Sequence, residues 1–196
     1  MRKVYLMRHG ETLFNLLHKK QGWCDSPLTD LGIYQAKVAK KYFEDNNITF
    51  DYAFSSTSER ASDTLELVTD MPYKRCKGLK EWFFGKYEAV DEHLNPPYPY
   101  NDFFKQFGGE GELEFRQRAF NAVKECVEST PDGSTILIVC HGGFLAQFYR
   151  LAIDLDVPYP KDKGISTNCA IWEYDYQDEK FSFIKNIFHD FSGYKK

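Results

Sequence analysis

Short continuous apolar runs alternate along this chain with longer stretches in which apolar residues recur every three or four positions. Val4, Tyr5, Leu6 and Met7 predict a buried strand, Tyr52, Ala53 and Phe54 a second, and Tyr73 to Cys76 a weak third. Thr135 to Cys140 is apolar almost throughout, as a central parallel strand covered on both faces must be. Helical spacing falls between these runs. Thr12 to about Lys19 predicts a short helix, and Thr29 or Asp30 can cap a longer one through Leu31, Tyr34, Val38, Tyr42 and Phe43 that ends near Asn46 and Asn47. Ser58 to about Thr69 predicts the next. Leu113, Phe120, Val123 and Val127 share one face of a helix running to about Ser129, and Phe144 to Asp154 continues the series. Beyond Pro158 and Pro160, Asn168 to Asp175 and Lys180 to Ile187 alternate as a final antiparallel pair. Strands followed by helices predict an α/β fold: a three-layer, doubly wound, mostly parallel sheet with helices on both faces.

Length fits a single domain over 1–196, with an irregular excursion at about 87–111. That excursion holds Pro96, Pro97 and Pro99 but also too many aromatics for disorder, and 17% of the whole chain is aromatic. Tyr98, Tyr100, Phe103, Phe104 and Phe107 suit either a pocket wall, with Lys105 as a second anion contact, or internal packing, the commoner use of aromatics. A net charge of −4 speaks against a nucleic-acid or anionic-membrane partner, so any anion site is local. Cys24, Cys76, Cys126, Cys140 and Cys169 are dispersed, lack CxxC spacing and read as reduced thiols, with neither a disulfide framework nor a metal site. The first apolar run is too short for a signal peptide or membrane span, which makes the cytoplasm the expected location. Composition leaves monomer and homodimer open.

Chemistry-bearing residues cluster just after the predicted strands. Arg8 and His9 end the first, Ser55 to Arg60 follow the second, Glu81 lies shortly after the third, and His141 ends the central strand. Ligands of open α/β sheets bind outside the carboxyl ends of their strands, so these sets converge there. A neutral imidazole can attack an electrophile and a neighbouring guanidinium supplies fixed charge, a pairing suited to phosphate. Glu81 stands beside Trp82, Phe83 and Phe84, apolar surroundings that suit an acid waiting in its protonated form.

Five motifs in one order carry a resemblance: Leu6 to Thr12 with Asn15; Gln21, Gly22 and Asp25 to Thr29 with Gly32; Ser55, Ser56, Arg60, Ala61 and Thr64; Leu79, Glu81, Phe84 and Gly85; and Val139, His141 and Gly142. With them the chain resembles the histidine phosphatase superfamily, in the branch of cofactor-dependent phosphoglycerate mutases and broad-specificity phosphatases. The resemblance implies a phosphoglycerate mutase-like fold, a small phosphorylated substrate and a metal-independent reaction through a phosphohistidine. It implies His9 as nucleophile, Arg8, Arg60 and His141 as the clamp on the phosphoryl oxygens, and Glu81 as general acid and then base. Thr12, Asn15, Gln21, Gly22 and Gly142 are the implied accessory contacts.

Departures from the pattern narrow the reading. Another branch carries its proton donor just after the second histidine, where this chain has Gly142 and Gly143, so Glu81 inherits the role. Many members have Gly-Glu-Ser before the late helix; here Gly109, Glu110 and Gly111 stand instead. The mutases carry a longer segment between acid and second histidine and a longer tail, which help retain a bisphosphorylated cofactor. Hydrolysis of a phosphomonoester without cofactor is therefore expected ahead of mutase chemistry with 2,3-bisphosphoglycerate. The third alternative is a non-catalytic phospho-ligand or interaction module on the same fold.

Overall fold

In a computed structural model, which describes residues 1–153 and 167–195, a six-stranded sheet runs through the molecule in the order β3-β2-β4-β1-β5-β6. Its strands are β1 (Arg2–Arg8), β2 (Tyr52–Ser56), β3 (Lys74–Cys76), β4 (Thr135–Cys140), β5 (Ile171–Gln177) and β6 (Lys180–Ile187). The first four are mutually parallel; β5 joins β1 antiparallel and β6 completes a hairpin with it. The α/β expectation is met, with the antiparallel pair as one edge.

Side-chain alternation explains why β1 and β4 read as unbroken apolar runs. Val4, Leu6, Ile136 and Ile138 face one layer, packed on Phe115, Ala119 and Val123 of α4 (Glu112–Glu128) and Phe144, Leu145 and Phe148 of α5 (Gly142–Ala152). Tyr5, Met7, Leu137 and Val139 face the other, packed on Ala36, Ala39 and Phe43 of α2 (Asp30–Asp45) and Ala61 and Leu65 of α3 (Glu59–Val68). Neither face of the sheet is left to water. No helix among the described residues is long and apolar enough to cross a membrane.

Several boundaries differ from the pattern. The helix expected over Thr12 to Lys19 is one turn, α1 (Leu13–Leu16), closed by Thr12, whose side chain accepts from the Asn15 N–H. His18 has φ +52°, which ends the helical path, and the chain then runs extended beside residues 89–92: Lys20 N–H donates to Val90 at 2.9 Å and Ala89 N–H to Lys20 at 2.7 Å. α2 begins behind Thr29, whose hydroxyl accepts from Gly32 N–H. α5 starts two residues earlier than Phe144, at Gly142, and its expected end at Asp154, like Pro158 and Pro160, lies outside the described residues. The excursion is built of short 3-10 turns at Glu92–Leu94 and Phe103–Phe107, folded over Phe104, which is fully buried. All five cysteines are free thiols, and Cys76 and Cys126 lie with their sulfurs 3.7 Å apart.

Candidate active site

Two parallel strands bring two histidines side by side. β1 and β4 are in register from Lys3 with Thr135 to Arg8 with Cys140, so their next residues, His9 and His141, emerge together. The His9 N–H donates to the Cys140 carbonyl at 3.0 Å, and the rings stand edge to face with centroids 5.3 Å apart. Both imidazoles are buried, His9 at 3% exposure.

The protonation of His9 follows from its neighbours. Its Nδ1 lies 2.7 Å from the Gly10 carbonyl, which can only accept, so Nδ1 carries the proton. Nε2 lies 3.3 Å from the Nε–H of Arg60, which can only donate, so Nε2 holds a lone pair. Burial, first, and then the positive charges of Arg60 and Arg8 hold the imidazole well below its ordinary pKa. His9 is thus a neutral base whose open nitrogen faces a guanidinium.

Arg60, 1% exposed, also organises the loop between α1 and α2. Its outer nitrogens donate to the carbonyls of Gly22 (2.8 Å) and Cys24 (3.0 Å) and to Asp25 Oδ1 (2.9 Å). Glu88 holds the loop from the other side, accepting the N–H groups of Trp23 and Cys24 at 2.7 and 2.6 Å. Arg8 behaves differently. Its Nε is buried with no partner, and it forms no ion pair among the described residues; burial pulls its pKa down, with Glu81 opposing. A cation so left is ready for an anion.

His141 bonds through Nε2 to the Ser56 hydroxyl at 2.8 Å, while its Nδ1 is buried without a partner. Burial and then the charge of Arg60 depress its pKa as well. Glu81 reaches the same place from the segment after β3. The apolar setting expected for its carboxyl is not what the fold supplies: one oxygen accepts the Trp82 N–H and the other the Gly143 N–H, both at 2.8 Å. Its carbonyl is fixed by Trp23 Nε1 (2.9 Å) and Arg118 (3.0 Å). Arg118 also donates to the carbonyls of Gly78 and Lys80 and pairs with Glu110 at 2.7 Å, so the whole approach to Glu81 is pinned to α4. Glycine at the start of α5 leaves room for the ends of two site side chains. A Cβ at Gly142 would lie 3.2 Å from Arg8 Nε, and one at Gly143 2.8 Å from Glu81 Oε1.

Of these groups Arg8, His9, Arg60, Glu81 and Gly142 line a cavity of about 560 Å³, with Asn15, Gln21 and Gly22 on its wall, whereas His141 is fully buried and is not part of the lining. Among the accessory residues Thr12 stands apart: it is fully buried behind the wall, and its hydroxyl donates to Gln21 Oε1 at 3.0 Å. It orients Gln21 rather than facing the cavity. Of the excursion, Tyr98 and Tyr100 line the cavity, whereas Phe104 is buried in the core and the half-buried Phe103 packs on it and on Phe107. Lys105 is not the second cation. It pairs with Asp102 and Glu114 at 3.3 and 2.8 Å, away from the cavity.

Lys20 holds that position instead, and sequence reasoning missed it. A lysine between a helix and a glycine loop reads as surface, and only the pairing of residues 18–20 with 89–92 turns it inward. It is 6% exposed, lines the cavity, and has its Nζ 4.0, 4.9 and 5.2 Å from the ring centres of Phe84, Phe104 and Tyr100. Burial pushes its pKa down to about 8 against the attraction of Glu81 and Glu92. Arg118, Glu88 and Trp23, the half-buried props of Glu81 and the loop, were equally invisible, since nothing local marks which distant backbone groups a side chain will meet.

Comparison with known proteins agrees with this fold. The family model of the histidine phosphatase superfamily (branch 1) matches residues 4–186. A curated relative from Yersinia pestis (strain Pestoides F), named probable phosphoglycerate mutase GpmB, is 31% identical over 91% of this chain and 86% of its own length. Among solved structures, Bacillus stearothermophilus YhfR superposes with a TM-score of 0.75 at 27% identity, covering 93% of this chain and 95% of that one. The alpha-ribazole phosphatase from Shigella flexneri superposes at 0.73 with 26% identity, covering 93% and 94%.

Proposed function

The chain belongs to branch 1 of the histidine phosphatase superfamily, and we propose that it is a metal-independent phosphomonoesterase working through phospho-His9. Members of the superfamily support an enzyme, a phosphatase or a mutase; the Yersinia relative is named for the second activity and the Shigella structure for the first. The observation that carries the reading is the protonation state of His9: Nδ1–H held by the Gly10 carbonyl, Nε2 open towards Arg60 and the cavity.

In the proposed reaction the phosphoryl group of a small ester sits between Arg8, Arg60 and the unpartnered Nδ1 of His141. His9 Nε2 attacks phosphorus as the ester P–O bond breaks, and the Arg60 Nε–H moves from the nitrogen to a phosphoryl oxygen. Glu81 gives its proton to the departing alkoxide. It then takes a proton from the water that attacks phosphorus, and His9 leaves as the P–N bond breaks, its Nδ1–H still donated to the Gly10 carbonyl. Charge neutralisation by side chains removes the need for a metal in this scheme. Hydrolysis is preferred to phosphoryl return because the segment between Glu81 and His141 is compact and folds on its own aromatic core.

Phosphate release from phosphorylated sugars, glycolytic acids and nucleotides, compared in wild type and His9→Ala, tests the proposal. Release that vanishes in His9→Ala is expected. Rapid interconversion of 3- and 2-phosphoglycerate with added 2,3-bisphosphoglycerate and little release would mean a mutase instead, and no acid-labile phosphoenzyme with any ester would mean a binding module.

A further inference from the structure

Five basic side chains line the cavity, Arg8, Lys19, Lys20, Arg60 and Arg150, the last lying over the Tyr98 ring at 5.0 Å. Arg60 is tied to Asp25, Lys19 to Asp91 at 2.6 Å, and Arg8 lies beside the nucleophile. Lys20 has neither a carboxylate nor a hydrogen-bond acceptor among the described residues, although it is almost fully buried. The side chain is buried up to an ammonium on the cavity wall, whose protein neighbours are the three aromatic faces, and these replace only part of what an anion would supply. Asn95 adds a second open group on the same wall: its side-chain oxygen is buried without a partner.

We propose that Lys20 is a specificity-determining residue that receives a second anionic group, a carboxylate or a second phosphate, on the leaving-group half of the substrate. The inference rests on the phosphomonoesterase reading and deepens it. The geometry defines a ligand charged at both ends: the phosphoryl group meets Arg8 and Arg60, and the second anion meets the ammonium held by Phe84, Phe104 and Tyr100. Asn95 Oδ1 then suits a hydroxyl donor between the two. Glu92, also on the wall, disfavours an anion placed elsewhere in that half. No bond is made or broken at Lys20. Its contribution is to binding, and it belongs in KM rather than in kcat.

The test compares wild type, Lys20→Met and Lys20→Arg on 3-phosphoglycerate, fructose 1,6-bisphosphate and the uncharged-alcohol ester glycerol 1-phosphate. Met keeps an apolar chain among the rings, so packing is largely preserved. The ratio of kcat/KM for an anionic ester to that for glycerol 1-phosphate is expected to fall by about tenfold or more in Lys20→Met, through KM, and to recover in part in Lys20→Arg, the scale of one charge-assisted contact. A fall for 3-phosphoglycerate alone identifies a carboxylate, and one for the bisphosphate alone a second phosphate. An unchanged ratio, or an equal loss on all three esters, overturns the proposal and makes Lys20 a packing residue. Calorimetric binding of the same esters to His9→Ala, with and without Lys20→Met, separates this from the catalytic reading. If wild type turns over no ester, hydrolysis falls. Weaker binding of an anionic ester in the double variant would still uphold Lys20, and equal binding would overturn it.

Discussion

The N–H of Gly143, in the first turn of α5, donates to Glu81 Oε2 at 2.8 Å, and a methyl group on the same residue would lie 2.8 Å from Glu81 Oε1. A glycine pair that precedes the expected helix in sequence thus seats the proposed acid, at the positive end of that helix. Gly143→Ala is expected to keep the fold, since alanine is the better helix former, yet to displace the carboxyl and lower kcat by about tenfold or more, because misplacement by an ångström is costly in a proton-transferring group. Steady-state kinetics beside a thermal melt decides it: a stable variant with wild-type kcat would remove this contact from the mechanism.

Glu81→Gln tests the acid itself. General acid catalysis contributes about 10²–10⁴ in rate, and it is needed most where the alkoxide leaves poorly. Alkyl phosphates should lose that factor while p-nitrophenyl phosphate loses far less. Equal losses on both would remove Glu81 from the acid role.

Arg60 is expected to matter twice. It faces the nucleophile and ties the carbonyls of Gly22 and Cys24 and the carboxylate of Asp25. Arg60→Met leaves those acceptors unmet, and breaking a buried pair of this kind costs about 3–5 kcal/mol, less here because Asp25 keeps some contact with water. Denaturant unfolding should show that loss together with a fall of at least about 10² in kcat, the scale of one lost charge-stabilising donor. A variant that loses rate without stability would separate the two roles.

Acid should destabilise the protein through its histidines. His9 and His141 both have folded pKa values well below the ordinary histidine value, to which they return on unfolding. Between the two values the unfolded chain binds the extra protons. Their contribution is therefore complete above the unfolded pKa and declines as pH falls below it, by about 1.4 kcal/mol per pH unit for each histidine that stays neutral. Urea unfolding at about pH 7 and about pH 5.5 should show His9→Gln losing less stability than wild type over that interval. The same depression keeps Nε2 unprotonated, so kcat/KM should show no acid limb at the ordinary histidine pKa; a limb there that His9 alone explains would contradict the assigned state.

The amino-acid order by itself determined the layers of this protein and most of the polar residues gathered at its cavity. Apolar runs of strand length, apolar residues at helical spacing and polar residues at each strand end are local properties, and local sterics and burial act on them directly. Hence β1, β4 and the histidines that follow them were legible, as was the gathering of Arg8, Arg60 and Glu81 at one edge. What the tertiary structure alone decided depends on groups distant in sequence. The tautomer of His9 is set by Gly10 and by Arg60 fifty-one positions away; the surroundings of Glu81 are set by Gly143 and Arg118; Thr12 turns to Gln21 and away from the cavity. The second cation of the cavity is the sharpest case. Lys105, in an aromatic segment, pairs on the surface, while Lys20, in a polar loop, is drawn under Phe84 and Tyr100 by backbone pairing with residues 89–92. Charge type can be read from a sequence, but whether a charge is solvated, paired or left open is a property of what the rest of the chain packs around it.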